Sequence, residues 1–596
     1  MQLILMAKAP KNPWRIPLVN PSLFTQFVAA SPFSSPNTNF RNRPSSSSQL
    51  PLILLLSVFI LCTFFAICAF TFYPISQHSI LCSAVSPSSS LASLSLIFSD
   101  LAKQDGPSSA MVPLPAHGVP ANPNLSLVER DFWRQPDDEG YRPCLGFGLD
   151  YRKMSGKISK EKRKFLVVVV SGGLNQQRRQ IVDAVVMARI LEAALVVPVF
   201  EVHRVWGDES EFADIFDLEH FRKTLQADVR IVSSLPATHL VSRQSVVDQI
   251  PYQVSPMWLR ARFLHQLNNE GLLILKGLES RLSKNLPSDL QKLRCKVAFH
   301  ALRFTSPINE LGNKIARRMW IEGPYIAVHL RIEKDAWVKT GCLTGLGPEH
   351  DEIITKERES KPDLLTDNLN LSNSARHLSG LCPLSALEVA RLLKGLGAPG
   401  DARIYLAGGK PFGGNRALES LVHEFPNIFT KQSLAREGEL TPYMNKPSFL
   451  AAIDYIVSLS SDVFVPSHGG NMAKTIQGHR AFVGHRKYIK PNKRMMVMLL
   501  ENVSLTEEEF GRTMRRLHKY SLGQPEPRNE STSSALLRPP RAADLANVGV
   551  DGLGFVRPET SQTSTYRHHL VRDICLPPLS PPRFAIRPPP LSLSTV

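Results

Sequence analysis

The segment Phe165–Pro198, FLVVVVSGGLNQQRRQIVDAVVMARILEAALVVP, leaves few folds open to the chain that contains it. Phe165–Val170 is a continuous apolar run rich in β-branched residues, the pattern of a parallel strand buried on both faces. Gly172 and Gly173 then permit a close turn. From Arg178 the period changes: Ile181, Val185, Ala188 and Leu191 recur at helical spacing, while Arg179, Gln180 and Glu192 fall elsewhere on the wheel. Leu195–Val197, closed by Pro198, reads as a second strand, so the unit is βαβ. In parallel sheets ligands sit beyond the carboxyl ends of the strands, where a turn and a helix N-terminus offer N–H groups to an anion. Ser171–Arg179 is thus a first candidate site. It can equally be an ordinary βα turn, because two adjacent glycines are not the dinucleotide GxGxxG pattern.

The same alternation returns further on. Helices are predicted near Ser288–Lys296 and Ile308–Arg318, and an apolar strand over Tyr325–Leu330 runs into Arg331. Ser385 and Glu388 form a capping box for a helix reaching Leu393. Ile404–Ala407 and Asp462–Val465 are further strands, the latter leading through Pro466-Ser-His-Gly-Gly-Asn471 into a helix through Gln477. Strands alternating with helices on both sides of residue 320 imply an α/β protein of two doubly wound domains facing each other across a cleft.

Before these domains the composition shifts. Residues 1–49 carry Lys8, Lys11, Arg15, Arg41 and Arg43 without any Asp or Glu and are rich in Ser and Pro, as disordered tails are. Leu50–Tyr73 is uncharged, rich in Leu, Ile and Phe, and long enough to span a hydrocarbon core of about 30 Å. A cleaved signal peptide would have a shorter apolar core nearer the start. The positive charges lie before the span, which puts the N-terminus in the cytosol and the rest in the lumen, a type II topology. Residues 74–140 then read as a flexible stem, and 141–320 and 321–523 as the two domains. Residues 524–596, rich in Pro and Ser, read as a disordered tail.

A lumenal address makes the sequons at Asn124, Asn370, Asn502 and Asn529 candidate glycosylation sites. Cys82, Cys144, Cys295, Cys342, Cys382 and Cys575 fall in an oxidising compartment, and the sequence fixes no pairing among them. The formal net charge of +18 suits anionic partners, but no basic stripe interleaved with aromatics argues for nucleic acid.

Three turns at strand ends can carry chemistry: Ser171–Gln177, Arg331–Asp335 and Pro466–Asn471. The guanidinium of Arg331 can pair bidentately with phosphate oxygens or form a buried ion pair with Glu333 or Asp335. Asn175 can hold a hydroxyl through its amide or serve its own turn. His329, His468, His479 and His485 are possible acid/base groups, and Gly478–Arg480 with Gly484–Lys487 concentrates positive charge that either faces an anion or is solvated. No Asp-x-Asp pair occurs, which weakens the case for a divalent ion clamping a diphosphate.

At these turns the chain resembles the plant O-fucosyltransferase-like glycosyltransferases. The matching segments are SGGLNQQRRQIVDAVVMARILEAALVVP, WGDESEFADIFDLEHF, KLRCKVAFHALRFTSPINELG, YIAVHLRIEKDAWVKTGC, GLCPLSALEVARLLKGLGAP and AAIDYIVSLSSDVFVPSHGGNMAKTIQGHRAFVGHRKYIKPNKR, within about Tyr141–Gly523. The resemblance implies a Golgi type II membrane enzyme of GT-B-like fold, with two Rossmann-like domains and no metal or other cofactor. It would transfer fucose from the nucleotide sugar GDP-fucose, with inversion, to a hydroxyl of a glycan or glycoprotein acceptor. By that resemblance Asn175 and Arg331 are catalytic. Gly172, Gly173, His329, Arg331, Asp462, His468, Gly469, Gly470 and Asn471 bind the donor. The chain departs from the family pattern at Gln177-Arg178-Arg179 and after Gly523. Two alternatives stand beside this one, a UDP-rhamnose-dependent pectin rhamnosyltransferase and a catalytically silent lumenal glycan-binding scaffold.

Overall fold

Strand β1, Phe165–Val170, lies at the centre of the first sheet because its six apolar residues leave no polar face to show to water. β5 (Leu272–Lys276) pairs with it on one side; on the other come β2 (Ala194–Val196) and β3 (Val199–Phe200), and then β4 (Ile231–Val232) beyond β2, all parallel. The computed structural model describes residues 111–525 except 142, 144, 161–162, 203–206, 238–249, 280, 366–370 and 503. The expected span Leu50–Tyr73, the tail 1–49, residues 74–110, the tail from 526 on, Asn370 and Asn529 lie outside the described residues. No helix among the described residues is long and apolar enough to cross a membrane.

The second sheet has the parallel order β8-β7-β6-β9, built from β6 (Tyr325–His329), β7 (Arg403–Ala407), β8 (Ile428–Phe429) and β9 (Val463–Pro466). Two parallel, helix-flanked sheets agree with the α/β expectation. Their separation at residue 320 is less sharp than the sequence suggested. Helices α2 (Ser306–Trp320) and α3 (Pro447–Ser460) pack together, so closely at Gly312 that a Cβ there would come within 2.5 Å of Ile456. Leu166, Val168, Ile315, Tyr455, Tyr325 and Tyr405 share one hydrophobic core. Apolar packing therefore runs from the first sheet through these helices to the inner face of the second.

A second core covers the outer face of β6, β7 and β9. The capping box forms as expected, and its helix extends to Leu396 before Gly397 closes it in the left-handed region. Phe132 and Trp133 belong to this core, so residues 111–135, read as part of a flexible stem, are instead a strap across the second sheet. Its amphipathic helix Leu127–Trp133, with Ser126 and Glu129 as capping box, supplies those two aromatics. Cys342 and Cys382 are disulfide-bonded with Cα atoms 5.7 Å apart, closing off the segment after β6.

Candidate active site

The first turn is built by glycine. Gly172 has φ of 84°, and a Cβ there would lie 2.2 Å from Gln176 Oε1, so any side chain would be both strained and crowded. Gly173 caps helix α1 (Leu174–Leu191), which starts four residues before the periodicity announced it. The reason is that the first turn of α1 carries polar residues that do not extend the apolar stripe. Ser171 is held by Gln180, whose Nε2 donates to Ser171 O at 2.8 Å. Asn175 sits in that first helical turn, is only 6% exposed, and its Oδ1 accepts no hydrogen bond from the protein.

The residues at the family departure point in two directions. Arg178 is buried in an aromatic cage, its guanidinium 4.6 Å from the Tyr455 ring centroid and 5.1 Å from that of Phe304, with Nη2 donating to Ala298 O. Burial pushes its pKa down. Arg179 turns instead to the strand ends and donates to Asn471 Oδ1. That contact joins the first turn to the third, which opens α4 (Asn471–Phe482) behind Gly470. The third turn is tied to the second in its turn: Ser467 N donates to His329 O at 2.9 Å, and Arg331 N donates to Ser467 Oγ at 2.8 Å. The three turns therefore converge at the carboxyl ends of the two sheets.

Arg331 realises the ion-pair alternative. Nη1 donates to Glu333 Oε2 and Nη2 to Asp335 Oδ2, each at 2.6 Å, and a fifth of its side chain remains exposed. Burial works against the charge, but Glu333 and Asp335 outweigh it and raise the pKa of Arg331 further. Burial would raise that of Asp335, yet Arg331 and Lys339 hold it at about 2. His329 is buried, its Nδ1 has no protein partner, and burial lowers its pKa to about 4, so the ring is neutral at pH 7. His468 Nδ1 lies 3.3 Å from Lys493 Nζ, whose pKa burial lowers to about 8.

One expected donor ligand is at the wrong end of its strand. Asp462 precedes β9, whereas the His468–Asn471 turn follows it. Its carboxylate, fully buried, accepts from His117 N at 2.7 Å and Tyr325 N at 3.0 Å, and lies 3.1 Å from His117 Nδ1. Asp462 thus anchors the strap and has no place among the donor ligands. The basic cluster is likewise structural. Arg480 donates to the carbonyls of Ser458, Leu459, Ser461, Asp462 and Lys487, and Lys487 Nζ to those of Asp131, Phe132 and Arg134. His479 stacks on Phe299, shares a hydrogen bond with Tyr455 Oη and is held by burial at about 3.

Sequence reasoning missed Glu279. It follows β5, a short LLILK run lying in a stretch without clear period, and it accepts from Gln176 Nε2 and, at 3.1 Å, from Asn471 Nδ2. A Gly directly after that apolar run was the available signal. Also unforeseen is the buried pair Lys431–Asp454, 2.8 Å apart, which with Tyr405 fixes Gly408 behind the second turn. Of the sequons, Asn124 is exposed and Asn502 half-buried.

Fold and site together define a two-sheet α/β enzyme whose parallel strands aim three polar turns at one place. The sequence profile described as GDP-fucose protein O-fucosyltransferase matches residues 165–483. O-fucosyltransferase 37 of Arabidopsis thaliana is 66% identical over 420 residues, 70% of this chain and 75% of that protein. O-fucosyltransferase 20 of Brassica napus is 60% identical over 399 residues, covering 67% and 72%. Rhamnogalacturonan I rhamnosyltransferase 1 of Arabidopsis thaliana is 36% identical over 374 residues, covering 61% and 73%. Among solved structures, POFUT1 in complex with GDP aligns at a TM-score of 0.35 and 14% identity, over 55% of this chain and 99% of that one. The chain belongs to the GDP-fucose protein O-fucosyltransferase family and is a glycosyltransferase.

Proposed function

We propose that this enzyme transfers fucose from GDP-fucose, with inversion, to a hydroxyl of a glycan or protein acceptor. The observation that carries the reading is the convergence of Asn175, Arg331 and the Gly469–Asn471 turn at one set of strand ends, inside the segment that matches the family. Arg331 exchanges its carboxylate partners for the diphosphate, neutralising charge as the nucleotide departs. His329, neutral and buried beside it, offers an unpaired Nδ1, and Gly172, Gly173, His468, Gly469, Gly470 and Asn471 line the nucleotide side. Asn175, whose buried side-chain amide has an unpartnered Oδ1, orients the acceptor on the face of the sugar opposite the diphosphate.

No resident metal is invoked, since the carboxylates beside the proposed diphosphate site, Glu333 and Asp335, are bonded to Arg331. The span Leu50–Tyr73 anchors the protein in the Golgi membrane with the catalytic part in the lumen, where Asn124 and Asn502 are open to glycosylation. A UDP-rhamnose donor is the second reading, favoured by the 36% identical rhamnosyltransferase. Calorimetric titration of the full-length protein with GDP and with UDP separates the two. GDP binding well ahead of UDP is expected; UDP binding as tightly or more tightly would overturn the fucose donor.

A further inference from the structure

The described strand ends hold several carboxylates, and most are committed. Glu333 and Asp335 grip Arg331, Glu201 pairs with Lys276 at 2.9 Å, and Asp208 accepts from Ser210 N and Ser448 N. Asp183 lies buried against Arg294. Glu279 differs in its partners and its exposure. Its closest donors are two neutral amides, Gln176 Nε2 and Asn471 Nδ2, while the guanidinium of Arg179 stands 3.7 Å away. About a third of its side chain is exposed, against 13% for Arg179. The Gln176 amide that orients it belongs to the residue following Asn175.

Resting on the function proposed above, we infer that Glu279 is the general base of the transfer. The acceptor hydroxyl oxygen forms a bond to the anomeric carbon, the bond from that carbon to the diphosphate oxygen breaks, and its electron pair leaves with GDP. The hydroxyl proton passes to a carboxylate oxygen of Glu279. Gln176 and Asn471 aim the carboxylate, and they come from the first and third turns, so the base is fixed only where the two sheets meet. Arg179, with Asp183 and Arg294 behind it, is the charged group facing the carboxylate. A positioned base of this kind contributes on the order of 10²–10⁴ in rate.

The test reads GDP release from GDP-fucose with water as the acceptor hydroxyl, using full-length protein. Glu279→Gln keeps the size and an acceptor oxygen but cannot take the proton. It should lose about 100-fold or more in kcat and the acid limb of the pH–rate profile, while GDP affinity stays within about twofold. Glu279→Ala should regain activity with added formate, a rescue that a folding defect would not show. Wild-type rates in Glu279→Gln, an unchanged acid limb, or no formate rescue of Glu279→Ala would each overturn the assignment while leaving the donor reading standing. Absence of release by the wild type would remove both.

Discussion

Replacing Arg331 by Ala should weaken GDP binding more than the loss of one contact suggests. Charge-assisted hydrogen bonds contribute about 1.5–3 kcal/mol each, so a bidentate pair to phosphate is worth about 3–6 kcal/mol before competition. Arg331 already donates to Glu333 and Asp335 at 2.6 Å, which reduces the net gain to about 3 kcal/mol, roughly 150-fold in Kd. The substitution also strands two carboxylates that other groups keep in place, Asp335 by Lys339 at 3.0 Å and Glu333 by Gly409 N at 2.8 Å. Each then repels the diphosphate. At about 7 Å and an effective dielectric near 20, one such charge costs about 2 kcal/mol before salt screening. Arg331→Ala combined with Asp335→Asn should therefore bind GDP roughly 10-fold more tightly than Arg331→Ala alone, yet more weakly than wild type. Calorimetry at fixed ionic strength, with thermal unfolding of each variant as the control for folding, measures the series. Unchanged affinity in Arg331→Ala, or a double variant weaker than the single one, would refute the reasoning.

Asn175→Ala should lower turnover of GDP-fucose by about 10² while sparing GDP affinity. It should not destabilise the fold, because it removes an unpaired buried carbonyl worth about 1–3 kcal/mol of cost; urea unfolding showing a large loss of stability would contradict this. Stability should also fall on acidification. His329 and His479 have folded pKa values of about 4 and 3, lowered by burial below an unfolded value near 6.5, so between about pH 6.5 and 4 the unfolded chain binds more protons. Both groups therefore favour folding above pH 6.5, and together they withdraw about 2.7 kcal/mol per pH unit below it. Urea midpoints unchanged from pH 7 to 5 would contradict the sign.

What the sequence disclosed follows from how local each signal is. β1 was legible to the residue because a fully buried parallel strand is an uninterrupted apolar run, and helix Ser288–Lys296 likewise. The start of α1 was not, since the polar run Asn175, Gln176 and Gln177 masks the helical period. Asp462 was misplaced for a different reason. A carboxylate next to a strand reads alike at either end, and only the fold shows that His117, far away in sequence, claims it. The buried strap was hidden by its Pro-rich composition, although Phe132 and Trp133 hold it down. Glu279 and Asn471, remote in sequence, meet only once the two sheets are packed.

The most direct measurement of the central claim is turnover of the two donors by one preparation of the full-length enzyme, following GDP release from GDP-fucose and UDP release from UDP-rhamnose. The expected result is GDP release, with kcat/KM for GDP-fucose at least about 100-fold above that for UDP-rhamnose, abolished by Arg331→Ala. Preference for UDP-rhamnose, or release from neither donor, would contradict it.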